Sequence, residues 1–242
     1  MNLPSRPPLP LPEAVPLPVP ADWSERLGAL GLTLDEETVT RLARYLGLLL
    51  AANAHMNLTA ITDPVEVWSR HALDALTLLP HVPLRARVVD VGSGGGVPAI
   101  PLALARPDAR FTLVEATRKK ATFLSQVADA LGLANVTVRA ERAEALARGP
   151  LRGAFDVVTA RAVAKLAELI PLTEGFLQRD GVFLFIKGQR ADEELSEASP
   201  VLARHRVVHV ETVPTPTGRV LVLRAAGRST ARPRRAKAPR KP

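Results

Sequence analysis

The chain of 242 residues contains no cysteine. That removes disulfides, thiolate metal sites and cysteine nucleophiles together, and it fits a reducing, cytoplasmic setting. Aromatic residues make up only 4% of the chain, so extensive base stacking on an exposed surface is not expected. No apolar run approaches the roughly 20 residues needed to cross a bilayer, and no membrane partner is expected. The first residues alternate Leu and Pro with Arg6 as their only base, and they do not read as a secretory signal. No catalytic triad, carboxylate pair or metal-ligand spacing stands out, so no metal is expected.

What is present is one core and two unusual ends. Hydrophobic residues reach 47%, enough for a sizeable core, and the length fits one α/β domain with extensions. The net charge of +8 is uneven. From Arg228 to Pro242 there are seven bases and no acid, while Arg6 and Glu13 cancel within the first twenty residues. The segment between is therefore nearly neutral. The basic tail, residues 227–242, carries three prolines, cannot bury a core and is expected to be disordered. It reads equally as a nonspecific phosphate tether or as a solubilising terminus. Residues 1–20 hold eight prolines and read as an extended, polyproline-like arm, with disorder the default for such an end.

Residues 21–80 read as a helical extension. Asp22 opens a short helix, and Asp35 caps a longer one that carries Val39, Leu42, Leu46, Leu49 and Leu50 at helical spacing. Asp63-Pro64 places a cap and a first-turn proline ahead of a third helix running to about Leu79. Over residues 81–226 short apolar runs alternate with helical stretches. The runs begin at Arg87, Arg110, Asn135, Phe155, Gly181, Arg206 and Arg219. This pattern predicts a Rossmann-like α/β fold with a seven-stranded, mostly parallel sheet covered by helices on both faces. The link Pro214–Gly218 is too short for a parallel crossover, so one of the last two strands must run antiparallel.

The segment Asp90-Val91-Gly92-Ser93-Gly94-Gly95-Gly96-Val97-Pro98 follows the first strand and opens a helix. Glycines there let backbone turn sharply and approach a ligand. The nicotinamide fingerprint wants a sixth-position glycine where this chain has Val97, and no Gly-Lys-Ser/Thr is present for a triphosphate. Asp90, two residues before the first glycine, suits a cationic ligand better than a pyrophosphate. Glu115 ends the second strand, twenty-three residues after Gly92, where a carboxylate can accept both hydroxyls of an adenosine ribose. An adenosine with a positively charged amino-acid arm meets these requirements, which is S-adenosylmethionine. The plainer alternatives are that Asp90 caps a helix and the later glycines only make the turn.

Further motifs carry a family resemblance: Asn57-Leu58-Thr59, His71–Leu76, Pro98–Leu102, Leu113-Val114-Glu115 with Lys119-Lys120, Arg142-Ala143-Glu144, Phe155–Ala162 and Lys187-Gly188. Together with the glycine loop, in this order, they resemble the RsmG (GidB) family, bacterial methyltransferases that modify N7 of a guanosine in small-subunit (16S) ribosomal RNA. One departure is Ala99, where the family usually has glycine. The resemblance implies a class I methyltransferase domain and site roles position by position. Gly92, Ser93, Gly94 and Val97 would line the methionine side of the cofactor. Glu115 would hold the ribose beside Ala116 and Thr117, Ala143-Glu144 would border the adenine, and Arg161 would stand at the mouth between cofactor and RNA.

Guanine N7 carries a lone pair at neutral pH, so alignment rather than a general base is expected to carry catalysis. Cytosine C5 methylation would want the cysteine that is lacking. Exocyclic amine methylation commonly uses an Asn/Asp-Pro-Pro-aromatic turn where this chain reads Thr159-Ala160-Arg161-Ala162. Candidate RNA contacts are Asn57, His71, Arg118, Lys119, Lys120, Arg139, Lys165 and Lys187, with a buried helix histidine, bonded to Asp74 one turn on, as the alternative for His71. The expected partner is small-subunit ribosomal RNA or a ribosomal particle, and a monomer is expected. A small-molecule methyltransferase of the same fold is the other reading, although it would not need the basic rim and tail. An RNA-binding protein without catalysis would not need Asp90, the loop and Glu115 intact.

Overall fold

The structure is a computed structural model and describes residues 10–226. The start of the arm and the basic tail lie outside the described residues. Seven strands form one sheet: β1 (Arg87–Val91), β2 (Arg110–Val114), β3 (Val136–Arg139), β4 (Phe155–Arg161), β5 (Leu177–Lys187), β6 (Val207–Pro214) and β7 (Arg219–Ala225). Their order is β3-β2-β1-β4-β5-β7-β6, and β7 is antiparallel to both of its neighbours. The chain reverses direction on either side of β1, which puts a crevice at the carboxyl ends of β1 and β4.

Alternate side chains of each strand feed two cores. Val88, Leu184 and Ile186 point to one, where the amino-terminal helices with α5 (Ala99–Ala105) and α6 (Arg118–Ala130) pack. Val89, Phe183 and Phe185 point to the other, under α7 (Ala143–Arg148), α8 (Leu166–Thr173), α9 (Ala191–Glu197) and α10 (Ser199–His205). Both faces of the sheet are thus covered, as near-continuous apolar strands require.

The amino-terminal extension is built from α1 (Trp23–Ala29), α2 (Glu36–Met56) and a composite rod over residues 64–76. Asp35 caps α2 by accepting the Thr38 N–H at 2.7 Å, and Asp63 caps the rod through the Glu66 N–H at 2.8 Å. The rod departs from a plain helix. It runs as α3 (Pro64–Val67), a π-helical stretch Trp68–Leu73 and α4 (Asp74–Leu76), ending before a 3-10 turn at Leu79–His81. In the widened turn the Asp74 N–H reaches back to the Ser69 carbonyl, five residues away.

Residues 10–20 have neither helix nor strand, and over this stretch the expectation of a disordered end does not hold. Leu11, Ala14 and Leu17 pack on the core, the Leu17 N–H donates to Ala43 O at 3.0 Å, and Pro18 O accepts the Trp68 indole N–H at 2.9 Å. A Cβ on Gly47 would lie 2.3 Å from Val15 O, so the strap needs a residue without a side chain beneath it.

Candidate functional site

The glycine loop sits where the topology places it, at the carboxyl end of β1. Gly92, Gly94 and Gly96 all have positive φ, and at Gly96 (φ 99) a Cβ would also meet Ile100 Cγ1 at 2.7 Å. The loop is tied on two sides. Tyr45 of α2, fully buried, donates its hydroxyl to Gly95 O at 2.9 Å. The Glu115 carboxylate accepts the Gly94 N–H at 2.9 Å through Oε2 and the Thr117 N–H at 2.7 Å through Oε1.

A cleft of about 480 Å3 opens over this loop. Of the residues proposed from sequence to hold the cofactor, Gly92, Ser93, Gly94, Val97, Glu115 and Arg161 line it, and so do Lys120 and His71 from the RNA-facing set. Its opposite wall comes from the extension, through Leu49, Leu58, Thr59 and Arg70. Glu115 keeps acceptor capacity beyond its two amides, since each carboxylate oxygen offers two lone pairs. In front of Gly94 a Cβ would meet nothing closer than Gly92 O at 3.8 Å. A diol donor set and close backbone approach therefore fit this end of the cleft, as an adenosine ribose requires. A larger concavity of about 1270 Å3 lies at the opposite sheet edge, among the strand starts Arg87, Arg110 and Phe155. That edge is the one at which open α/β sheets do not bind their ligands.

Several expected site residues lie elsewhere. Asp90 is sealed beneath the loop and does not line the cleft. Its Oδ1 accepts the Thr159 hydroxyl at 2.7 Å, Oδ2 has no hydrogen-bond partner among the described residues, and burial pushes its pKa up to about 7 despite the Thr159 hydrogen bond. Ala116 and Thr117 are exposed beyond Glu115. Ala143 starts α7, and Glu144 is exposed on a separate dent with Arg148 and Arg152. Ala99, the departure from the family pattern, buries its methyl in the core rather than in the loop.

His71 is a buried helix histidine, the alternative reading, rather than an RNA contact: it is only 3% exposed, and it bonds Thr59 rather than Asp74. Arg161 Nη1 lies 3.0 Å from its Nδ1, and Thr59 Oγ1 lies 2.8 Å from its Nε2. A guanidinium only donates, so Nδ1 is the acceptor and Nε2 carries the proton toward Thr59. Burial, then the neighbouring Arg161 charge, lowers the His71 pKa to about 4. Arg161 Nη1 also donates to Arg70 O at 2.5 Å. The helical N–H that would ordinarily meet that carbonyl, from Asp74, is spent on Ser69 in the π turn.

Among the other RNA-facing candidates, Lys187 is not at the surface. Its Nζ donates to Ala164 O and Glu194 Oε1, both at 2.7 Å, and its side chain is 9% exposed. Asn57 is exposed at the left-handed end of α2 (φ 51), a conformation asparagine tolerates. Arg118 and Lys165 are exposed, Lys119 donates to His55 O at 2.6 Å, and Arg139 pairs with Glu141 at 2.6 Å.

Residues 38–222 match the family model for GidB, rRNA small subunit methyltransferase G. A ribosomal RNA small subunit methyltransferase G from Sorangium cellulosum is 59% identical over 92% of this chain and 94% of its own length. One from Halorhodospira halophila is 46% identical over 76% and 86%. Among solved structures, an Aquifex aeolicus SAM-dependent methyltransferase aligns with a TM-score of 0.56 at 13% identity, covering 70% of this chain and 97% of that one. A Thermotoga maritima SAM-dependent O-methyltransferase aligns at 0.51 and 18% identity, covering 74% and 72%. These structural likenesses speak for the fold alone.

Proposed function

The chain belongs to the GidB family, the small-subunit ribosomal RNA methyltransferases G, and from that premise we propose that it methylates N7 of one guanosine in small-subunit ribosomal RNA. The observation that carries this reading is the pairing of a backbone-built cleft, closed by Glu115, with a cationic residue, Arg161, standing at its edge. When bound, S-adenosylmethionine supplies a sulfonium methyl group, an electrophile that an unprotonated ring nitrogen accepts without losing a proton first.

The chain's own residues bind and align. Glu115 takes the ribose hydroxyls while holding the loop through the Gly94 amide. The loop keeps the reacting end close to main chain, with Tyr45 fixing Gly95 from below. His71 is a positioning residue: neutral, with both ring nitrogens engaged, it serves as no base and instead sets the Arg161 guanidinium. Asp90 keeps its proton below about pH 7 and has no exposed face from which to reach a substrate.

RNA is read here as a shaped element contacted through phosphates, with Arg118, Lys120 and Lys165 as the contacts best placed around the rim. The near-neutral described region makes such a local patch necessary. We take the protein to act as a monomer in the cytoplasm. No helix among the described residues is long and apolar enough to cross a membrane, and none of their His, Cys, Asp and Glu side chains form a group of three suited to a metal. The decisive experiment is methyl transfer to intact small subunits, assembling particles and naked ribosomal RNA, followed by nucleoside analysis. 7-methylguanosine at one position is the expected product; equal labelling of all RNAs, or a different methylated nucleoside, would refute the reading.

A further inference from the structure

A second cleft of about 470 Å3 adjoins the first, and Arg70, Arg161 and Ala162 belong to both. Ala162 takes the left-handed conformation (φ 53), a strained choice for a residue with a side chain, at the border between them. All the chain's Trp, Tyr and Phe side chains are buried in the cores. A base entering this cleft is therefore recognised at its edges rather than by aromatic stacking.

The edges available are unequal. Glu194 Oε1 accepts the Lys187 ammonium at 2.7 Å and the Leu166 N–H, while Oε2 has no hydrogen-bond partner among the described residues. Lys187 and Leu166 thus fix the carboxylate and leave one oxygen for a ligand. Asp74, the other carboxylate in this cleft, has Thr217 on both oxygens, its N–H at 3.2 Å and its hydroxyl, and is committed to anchoring the β6–β7 turn. On the cofactor side, Arg161 uses Nη1 for Arg70 and His71, and its Nε and Nη2 make no hydrogen bond among the described residues.

Resting on the guanine-N7 reading above, we propose that this second cleft receives the target guanine, with Arg161 donating to O6 and Glu194 accepting from the N1–H and 2-amino edge. Guanine N7 and O6 lie on one edge and both accept, so turning N7 toward the first cleft brings O6 to the arginine at the border. The adjoining edge, beyond O6, then offers two adjacent donors, an arrangement that only guanine has among the four bases and that suits a carboxylate. Adenine also has a free N7, but it would set its 6-amino group against Arg161 and its N1 lone pair against Glu194. Two mismatched polar pairs exclude it. Methylation at N7 makes the ring cationic and its N1–H more acidic, so the same carboxylate favours the developing charge.

The test uses the full chain and small subunits reconstituted with ribosomal RNA that carries guanosine or inosine at the methylated position. Inosine keeps N7, O6 and N1–H and lacks only the 2-amino group. Wild type is expected to lose about tenfold in kcat/KM on inosine, the scale of one hydrogen bond to a charged group. Glu194→Gln is expected to be slower on guanosine, to bind cofactor unchanged by calorimetry, and to show less than twofold further loss on inosine. A merely structural Glu194 would leave the inosine penalty intact, and that result overturns the proposal. Should Glu194→Gln fail to fold, Glu194→Asp takes its place with the same two substrates, and an inosine substrate as good as guanosine for wild type overturns the proposal whatever the variant does. Absence of 7-methylguanosine from wild-type guanosine subunits would instead defeat the underlying reading.

Discussion

The two neighbouring clefts are built by opposite means. The first is made largely of main chain: three glycines in left-handed conformations, with one carboxylate, Glu115, pinned by two backbone amides. The second is made of long side chains: Lys187 and Glu194 hold each other, Lys187 also bonds the Ala164 carbonyl, and Arg161 is held by the Arg70 carbonyl and His71. A ligand common to many enzymes suits a site written into the backbone. A particular acceptor suits side chains that can be exchanged without disturbing the fold.

The largest test of this contrast lies in two buried ionisable groups, one beneath the loop and one at the shared border. Asp90 has its pKa raised from 3.8 to about 7, so between those values the folded state holds a proton that the unfolded state has lost, and stability falls as pH rises. His71 has its pKa lowered from 6.5 to about 4, so between those values the unfolded state binds the extra proton, and stability falls as pH drops. The slopes oppose between about pH 4 and 6.5. In urea unfolding across this range, Asp90→Asn should make stability fall more steeply toward low pH, as the opposing Asp90 slope is gone, and should gain on the order of a few kcal/mol at pH 8. His71→Gln should remove the His71 slope and leave the raised carboxylates, Asp90 and Asp74, to make stability fall as pH rises. Parallel profiles for both variants would refute the assignment.

Next in size, Glu115→Ala removes the acceptor of two amides as well as the ribose contact. Cofactor affinity should fall about 100-fold by calorimetry, as loss of two charge-assisted bonds implies. Arg161→Lys keeps the charge and loses the planar fork. It should reduce kcat/KM for small subunits about 30-fold while changing cofactor affinity less than threefold, a split that only a border residue gives. An equal loss in both measurements would erase the distinction between the clefts. The smallest effect is expected outside both. Gly47→Ala forces the strap at Val15 to shift and should cost about 1–2 kcal/mol of stability, with cofactor affinity unchanged.

The same contrast explains what could be read from sequence. The strand periodicity, the caps at Asp35 and Asp63, the short Pro214–Gly218 link and the glycine loop are local signals, and seven strands form in the expected order, although β5 begins at Leu177, four residues before the expected Gly181, and β6 runs to Pro214. Glu115 was legible because its distance from the loop is fixed by one β-α-β unit. What escaped depends on contacts far apart in the chain. Tyr45 reaches Gly95 across fifty residues, and Arg161 finds His71 across ninety. Apolar spacing does not distinguish a π turn from an α turn, so the Arg70 carbonyl that accepts Arg161 had no sequence mark. Lys187 read as a surface charge because nothing in its neighbourhood announces Glu194 on the next helix. The arm misled for a related reason: prolines cannot donate, yet the Pro18 carbonyl still accepts.

The docked strap has an optical consequence. The chain has two tryptophans, Trp23 and Trp68, whose rings meet edge to face with centroids 4.7 Å apart, and Trp68 bonds the strap directly. Neither lines either cleft. Intrinsic tryptophan emission therefore reports on the amino-terminal extension and not on the strands of the sheet. A red shift on dilute denaturant, ahead of the change in far-ultraviolet circular dichroism, would time the release of the strap separately from loss of the domain.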